Sequence, residues 1–244
     1  MKKFFLLTTL MLLTVMNAAA QPFQTDTFKT ASGKDVIFSC IKHASIRIDY
    51  EGRYFYIDPV TALKPATDFT TMPRANCIFI THEHGDHYDR MALAQLSTPH
   101  TYIYCNPSVG RLLSNAFSMQ NGDSVTIGTD VTLKAVPAYN TTPGREQFHP
   151  KGRDNGYVLT IDGLRIYIAG DTEDIPEMAE IKDIDIAFLP CNQPYTMTID
   201  QLVRAAKVIK PRVLFPYHYS DTPVSKVRLE LNGTGIDVRI RNYQ

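Results

Sequence analysis

A short apolar run, Ile78-Phe79-Ile80, leads without a break into Thr81-His82-Glu83-His84-Gly85-Asp86-His87. The triplet reads as a buried strand, and the polar run after it gathers three imidazoles and a carboxylate. In a strand, residues two apart face the same side. His82 and His84 therefore leave the strand's end together and can share one metal ion. Gly85 lets the chain turn, and Asp86 and His87 behind it can hold a second ion nearby. Imidazole assisted by carboxylate oxygen suits Zn2+, with Mn2+ or Fe as alternatives.

The rest of the chain supplies strands to surround such a site. Short runs rich in β-branched and aromatic residues fill the first half: Val36–Ile41, Ser45–Tyr50, Tyr54–Ile57, Cys77–Ile80, Tyr102–Tyr104, Val125–Ile127 and Val131–Val136. Gly52, Asp58-Pro59 and Asn121-Gly122-Asp123 punctuate them as turns. Helical patterns fall at Arg90–Leu96 and Ser108–Phe117. In the second half, Tyr157–Ile161 and Arg165–Ile168 flank Asp162-Gly163, a hairpin signal. Ile184–Leu189, Val213–Pro216 and Ile236–Ile240 read as strands. Thr198–Ile209 and Pro223–Leu231 read as helices, the first with Ile199, Leu202, Ala205, Ala206 and Ile209 on one face. Strands precede helices in each half. That order predicts an α+β chain, an αββα sandwich of two mixed sheets packed face to face with helices outside.

Further candidate ligands sit at the ends of these strands. Asp171 follows Arg165–Ile168 and Ala169-Gly170, where it either faces the site or caps a helix. His218 follows Val213-Leu214-Phe215-Pro216-Tyr217 in the same position and reads as a ligand. His43, between two strands, lines the site, bonds in the core or orients a ligand from outside the coordination shell. Asp58, after Tyr54–Ile57, is a turn residue or a carboxylate orienting a metal-bound His. His100, in a loop after Pro99, reads as surface.

Lys2 and Lys3, the apolar stretch Phe4–Met16 and the small residues Ala18-x-Ala20 form a leader with a cleavage site before Gln21. The stretch is short of the ~20 residues that a membrane span needs. The expectation is an exported chain, periplasmic or secreted, with a leader over 1–20 and one domain over 21–244. The whole chain balances 25 Lys and Arg against 25 Asp and Glu. Removing the two leader lysines leaves 23 − 25 = −2. Nucleic acid is therefore not an expected partner, and no span is expected in the mature chain. The four cysteines, Cys40, Cys77, Cys105 and Cys191, form no C-x-x-C pair, and the sequence does not pair them.

The ordered elements His82-x-His84-x-Asp86-His87, Gly170-Asp171-Thr172 and Phe215-Pro216-Tyr217-His218 resemble the metallo-β-lactamase superfamily. His43-Ala44-Ser45, Tyr56-Ile57-Asp58-Pro59, Val136-Pro137-Ala138 and Thr196-Met197-Thr198 look like one branch of it. That branch includes the L-ascorbate-6-phosphate lactonase and the N-acylphosphatidylethanolamine-hydrolysing phospholipase D. The resemblance implies an αββα fold and a hydrolytic site for one or two metal ions. It leaves the substrate open. One position departs from the pattern. A third His for the first ion usually follows the strand ending in Val136-Pro137-Ala138, and here Asn140 stands there. Three arrangements fit. Asn140 ligates weakly or through water, His149 reaches in from the following loop, or the first site binds loosely and Asp86, His87, Asp171 and His218 serve one ion.

The expected chemistry is hydrolysis by a metal-activated hydroxide, with Asp86 or Asp171 accepting a proton and Asp171 bridging two ions. The loop 141–155 carries Arg145, His149, Lys151 and Arg153, which suits an anionic substrate, a small molecule or lipid derivative. Tyr139, Tyr195 and Tyr217 are candidate pocket walls. The alternatives are a non-catalytic metal-binding or scaffold protein of the same fold, which Asn140 keeps open, and a β-lactamase. The sequence leaves oligomeric state undetermined.

Overall fold

The computed structural model describes residues 23–243, so the expected leader lies outside it. The first sheet is made of β1 (Gln24–Lys29), β2 (Asp35–Lys42), β3 (Ser45–Tyr50), β4 (Arg53–Ile57), β5 (Cys77–Ile80), β6 (Tyr102–Cys105) and β7 (Ala116–Ser118). The second is made of β8 (Ser124–Ile127), β9 (Val131–Ala138), β10 (Asp154–Ile161), β11 (Leu164–Ile168), β12 (Ile186–Pro190), β13 (Val213–Tyr217) and β14 (Asp237–Val238). Each sheet follows chain order. β1 to β4 pair antiparallel and β4 to β7 parallel; β8 to β11 pair antiparallel and β11 to β14 parallel.

The reason for two sheets lies in the two-sided burial of the central strands. β5, β12 and β13 are buried at every residue, which a strand achieves only with both faces covered. Between the sheets, Phe38, Phe55 and Phe79 meet Leu133, Tyr157, Phe188 and Phe215 in one core. On the outer face of the first sheet, α1 (Arg90–Leu96) and α2 (Pro107–Gly110) cover Ile78, Ile80 and Ile103. On the outer face of the second, α3 (Ile199–Ile209) and α4 (Ser225–Glu230) cover Tyr167, Leu189 and Leu214. The layers are α, β, β, α, as the pattern of runs predicts. All four cysteines are buried free thiols, and burial pushes Cys77, Cys105 and Cys191 up to about 12.

One local expectation gives way, and one strand appears that no apolar run announced. The helix expected over Ser108–Phe117 is a single turn, Pro107–Gly110, which Asn106 starts by accepting the Val109 amide at 3.0 Å. The chain then extends, and Ala116–Ser118 pairs with β6, so backbone pairing at the sheet's edge prevails over the helical spacing. β1 has no apolar run to announce it. It is mostly exposed and is fixed by pairing with β2 and by Asp26, which ties to Arg239 and Arg241 at 2.8 and 2.6 Å.

Candidate metal centre between the two sheets

The strands β4, β5, β11 and β13 deliver the candidate residues where they end. Asp58 follows β4, His82 to His87 follow β5, Asp171 follows β11 and His218 follows β13. The turn between β2 and β3 brings His43 to the same place. No helix begins at Asp171; the next helical turn starts at Pro176, so the capping alternative does not apply.

The donor atoms fall into two sets joined by Asp171. His82, His84 and His149 form one set, and His43, Asp86, His87 and His218 the other, with the donor atoms of each set within 4.8 Å of one another. Asp171 Oδ2 lies 3.4 Å from His149 Nε2, and its Oδ1 lies 3.3 Å from His87 Nε2. His82 Nε2 and His84 Nδ1 face each other at 3.1 Å. In a tetrahedral zinc shell with bonds of ~2.0–2.1 Å, neighbouring donors stand about 3.3–3.4 Å apart, which is the spacing found here. The buried atoms His87 Nε2, Asp171 Oδ1 and His218 Nε2 have no hydrogen-bond partner in the protein. Buried polar atoms are normally satisfied, and a cation would satisfy these three. The residues present therefore fit one or two divalent ions.

Outer partners fix how the rings point. Asp58 accepts the Thr81 amide at 2.8 Å and the Thr81 hydroxyl at 2.7 Å, and its Oδ2 lies 2.8 Å from His87 Nδ1. That contact turns His87 Nε2 toward the centre. Asp154 does the same for His149, 2.9 Å from its Nδ1. The Thr81 hydroxyl, already donating to Asp58, is 2.9 Å from His82 Nδ1 and accepts from it. Burial lowers the His82 ring well below its usual pKa and so keeps it neutral, the form that ligates. Asp171 is itself buried, which opposes its charge, but the His218 and His87 rings hold it well below the usual carboxylate range.

His149 occupies the place that the sequence left open among three arrangements. Its ring is buried and joins His82 and His84. Asn140 instead braces the loop above: its amide donates to the carbonyls of Tyr195 at 2.8 Å and Arg145 at 3.3 Å. Its own backbone N–H donates to the His149 carbonyl at 2.8 Å. Two residues that sequence reading passed over matter here. Asp154 orients His149, and its five-residue offset from a candidate ligand was the available signal. Glu173 is buried and accepts the Thr141 and Thr142 amides at 2.8 and 2.7 Å, which starts the loop. His100 is exposed.

The centre opens into a cleft of ≈ 190 Å³ with Leu63, Asn192 and Tyr195 on its walls. Lys42, fully buried, donates to the Leu63 and Pro65 carbonyls and so holds Leu63 over the cleft. Tyr195 stands at the mouth, edge-on to Phe148 at 5.0 Å. Tyr139 turns away to Glu177, and Tyr217 packs on Phe188. The loop's basic residues are paired with the protein's own acids. Lys151 meets Glu177 at 2.8 Å, Arg153 meets Asp154 at 2.7 Å and Glu83 at 3.3 Å, and Arg145 lies 3.8 Å from Glu173.

A strand-end metal centre between two helix-covered sheets defines a class of metallohydrolase folds, and comparison with known proteins agrees. The family model described as "Beta-lactamase superfamily domain" matches residues 53–219. A UPF0173 metal-dependent hydrolase from Ligilactobacillus salivarius is 33% identical over 193 residues, covering 75% of this chain and 85% of that protein. A crystal structure classed as a metal-dependent hydrolase from Parabacteroides distasonis superposes with a TM-score of 0.88 at 51% identity, covering 91% of this chain and 100% of that one. The metallo hydrolase Igni18 from Ignicoccus hospitalis shares the fold, with a TM-score of 0.72 at 22% identity over 85% of this chain and 95% of that one. The chain belongs to the β-lactamase superfamily, among its metal-dependent hydrolases.

Proposed function

We propose that this protein hydrolyses an ester, lactone or phosphodiester of a small molecule or lipid derivative, with zinc as the working metal. The observation that carries the reading is the position of Asp171, between two donor sets at the floor of a narrow cleft. Divalent ions held there lower the pKa of water to ~7 and polarise the oxygen of the group under attack. Asp171 is placed to hold a proton beside the reacting group, with Asp86 the second candidate. His82, His84 and His149 fix one side of the centre, and Asp86, His87 and His218 the other. Leu63 and Tyr195 exclude water from the cleft and grip the apolar part of the substrate. A cleft of ≈ 190 Å³ admits the reacting group and leaves the rest of the substrate over the Tyr195–Phe148 rim.

The paired state of Arg145, Lys151 and Arg153 shifts one part of the reading. A substrate's negative charge is met at the metal centre, and the loop's cations serve to hold the loop. Turnover of a p-nitrophenyl ester, a γ-lactone and bis(p-nitrophenyl) phosphate by zinc-loaded protein tests the proposal, with nitrocefin as the β-lactamase control. Zinc-dependent turnover of at least one of the first three is expected. A fully loaded protein inert toward all of them favours the non-catalytic alternative. The leader extends the proposal to an exported protein, and N-terminal sequencing of native material should begin at Gln21.

A further inference from the structure

His43 stands in the turn between β2 and β3, only partly exposed, with a backbone φ of 47°. A non-glycine residue in the left-handed region is strained and persists where its surroundings hold it. Lys42 pairs with Ser45 across the turn, and the His218 N–H donates to the His43 carbonyl at 3.1 Å. His218 has its own φ of 48°, and the two rings lie 3.7 Å apart between centroids. The two strained turns, one from each sheet, thus place two imidazoles side by side.

His43 Nε2 lies 3.1 Å from Asp86 Oδ2. That same oxygen faces His218 Nε2 at 3.4 Å and His87 Nε2 at 3.7 Å. All four donors fall within 4.8 Å of one another. The spacings straddle the edge of about 3.3–3.4 Å expected around zinc with bonds of ~2.0–2.1 Å.

We propose that His43 is itself a ligand of the ion held by Asp86, His87 and His218, and not an outer partner of Asp86. The inference rests on the metal-centre reading above and sharpens it. With His43 included, the Asp86 side has four donors of its own plus Asp171. The other side has three imidazoles and the shared carboxylate.

A crystal structure of the zinc-loaded protein, with anomalous scattering at the zinc edge, tests this directly. His43 Nε2 is expected at ~2.0–2.1 Å from the ion beside Asp86. In zinc titrations, His43→Ala and His43→Gln should each weaken that ion by more than the roughly 10–100-fold that losing an outer partner costs. X-ray absorption of zinc-loaded His43→Ala should show fewer imidazoles per zinc than the parent. An ion beside Asp86 with His43 Nε2 more than about 3 Å away overturns the inference and leaves the hydrolase reading intact. A folded protein that takes up no zinc overturns both.

Discussion

Asp58 uses both carboxylate oxygens within the protein, on Thr81 and His87, and through them sets the direction of two candidate ligands. Asp154 and His149 repeat the device on the opposite sheet. His149 is the residue whose ring stands where the missing imidazole could be supplied, and that placement carries a test. His149→Ala should weaken the ion held with His82 and His84 by about 100-fold or more, beyond the cost of an outer partner. Asn140→His should leave that ion's affinity within a few fold, since the Asn140 amide is occupied with the Tyr195 and Arg145 carbonyls. Calorimetric titration of the apo-protein with Zn2+ measures both. Equal affinities in parent and His149→Ala would remove His149 from the centre. The contiguous part of the centre was legible because His82 to His87 sit on one strand end, where local spacing fixes direction. His149 was legible only as one of three arrangements, because the eight residues 141–148 separate it from Asn140. The bonds of Glu173, Asn140 and Asp154, with the ion pairs of the loop's own cations, decide where that loop returns.

Among the elements, β11 shows how closely the centre depends on backbone. The strand ends at Ile168, and Gly170 turns the chain with a φ of 66° so that Asp171 points inward. A Cβ at Gly170 would stand 2.7 Å from the Asn155 carbonyl oxygen on β10. Gly170→Ala should cost about 1–3 kcal/mol from the backbone alone, with more from that contact. For a domain of this size each kcal/mol lowers Tm by roughly 2–4 °C. Calorimetry of parent and variant checks it, and an unchanged Tm would refute the constraint. Central strands such as β5 and β13 could be read from the sequence because burial on both faces demands continuous apolar runs. β1 and β7 could not. β1 is held by pairing with β2 and by the distant Arg239 and Arg241 that meet its Asp26, β7 by the edge of β6, and these partners lie outside the strands themselves.

On the scale of the whole molecule, neither sheet owns the centre. The first contributes His43, His82, His84, Asp86 and His87; the second contributes His149, Asp171 and His218. An ion bound to both binds the folded state and not the unfolded one. At a free concentration near 1,000 Kd it adds about 4 kcal/mol. Exhaustive chelation should then lower Tm on the order of 10 °C, and added Zn2+ should restore it. A Tm indifferent to chelator, with metal loss confirmed by elemental analysis, would refute preferential binding of the ions to the folded state. The layered architecture was legible from the alternation of runs because two-sided burial leaves few ways to stack them. The meeting of the sheets at one cleft was not, since it depends on Phe79 against Tyr157 and their neighbours across the core.

The two sheets are also the two halves of the chain, the first closing at Ser118 and the second opening at Ser124. Each half alone carries an incomplete set of donors, and the shared carboxylate comes only from the later one. A cation bridging both halves would meet its full set of donors only once the later half has been made and has docked on the earlier one.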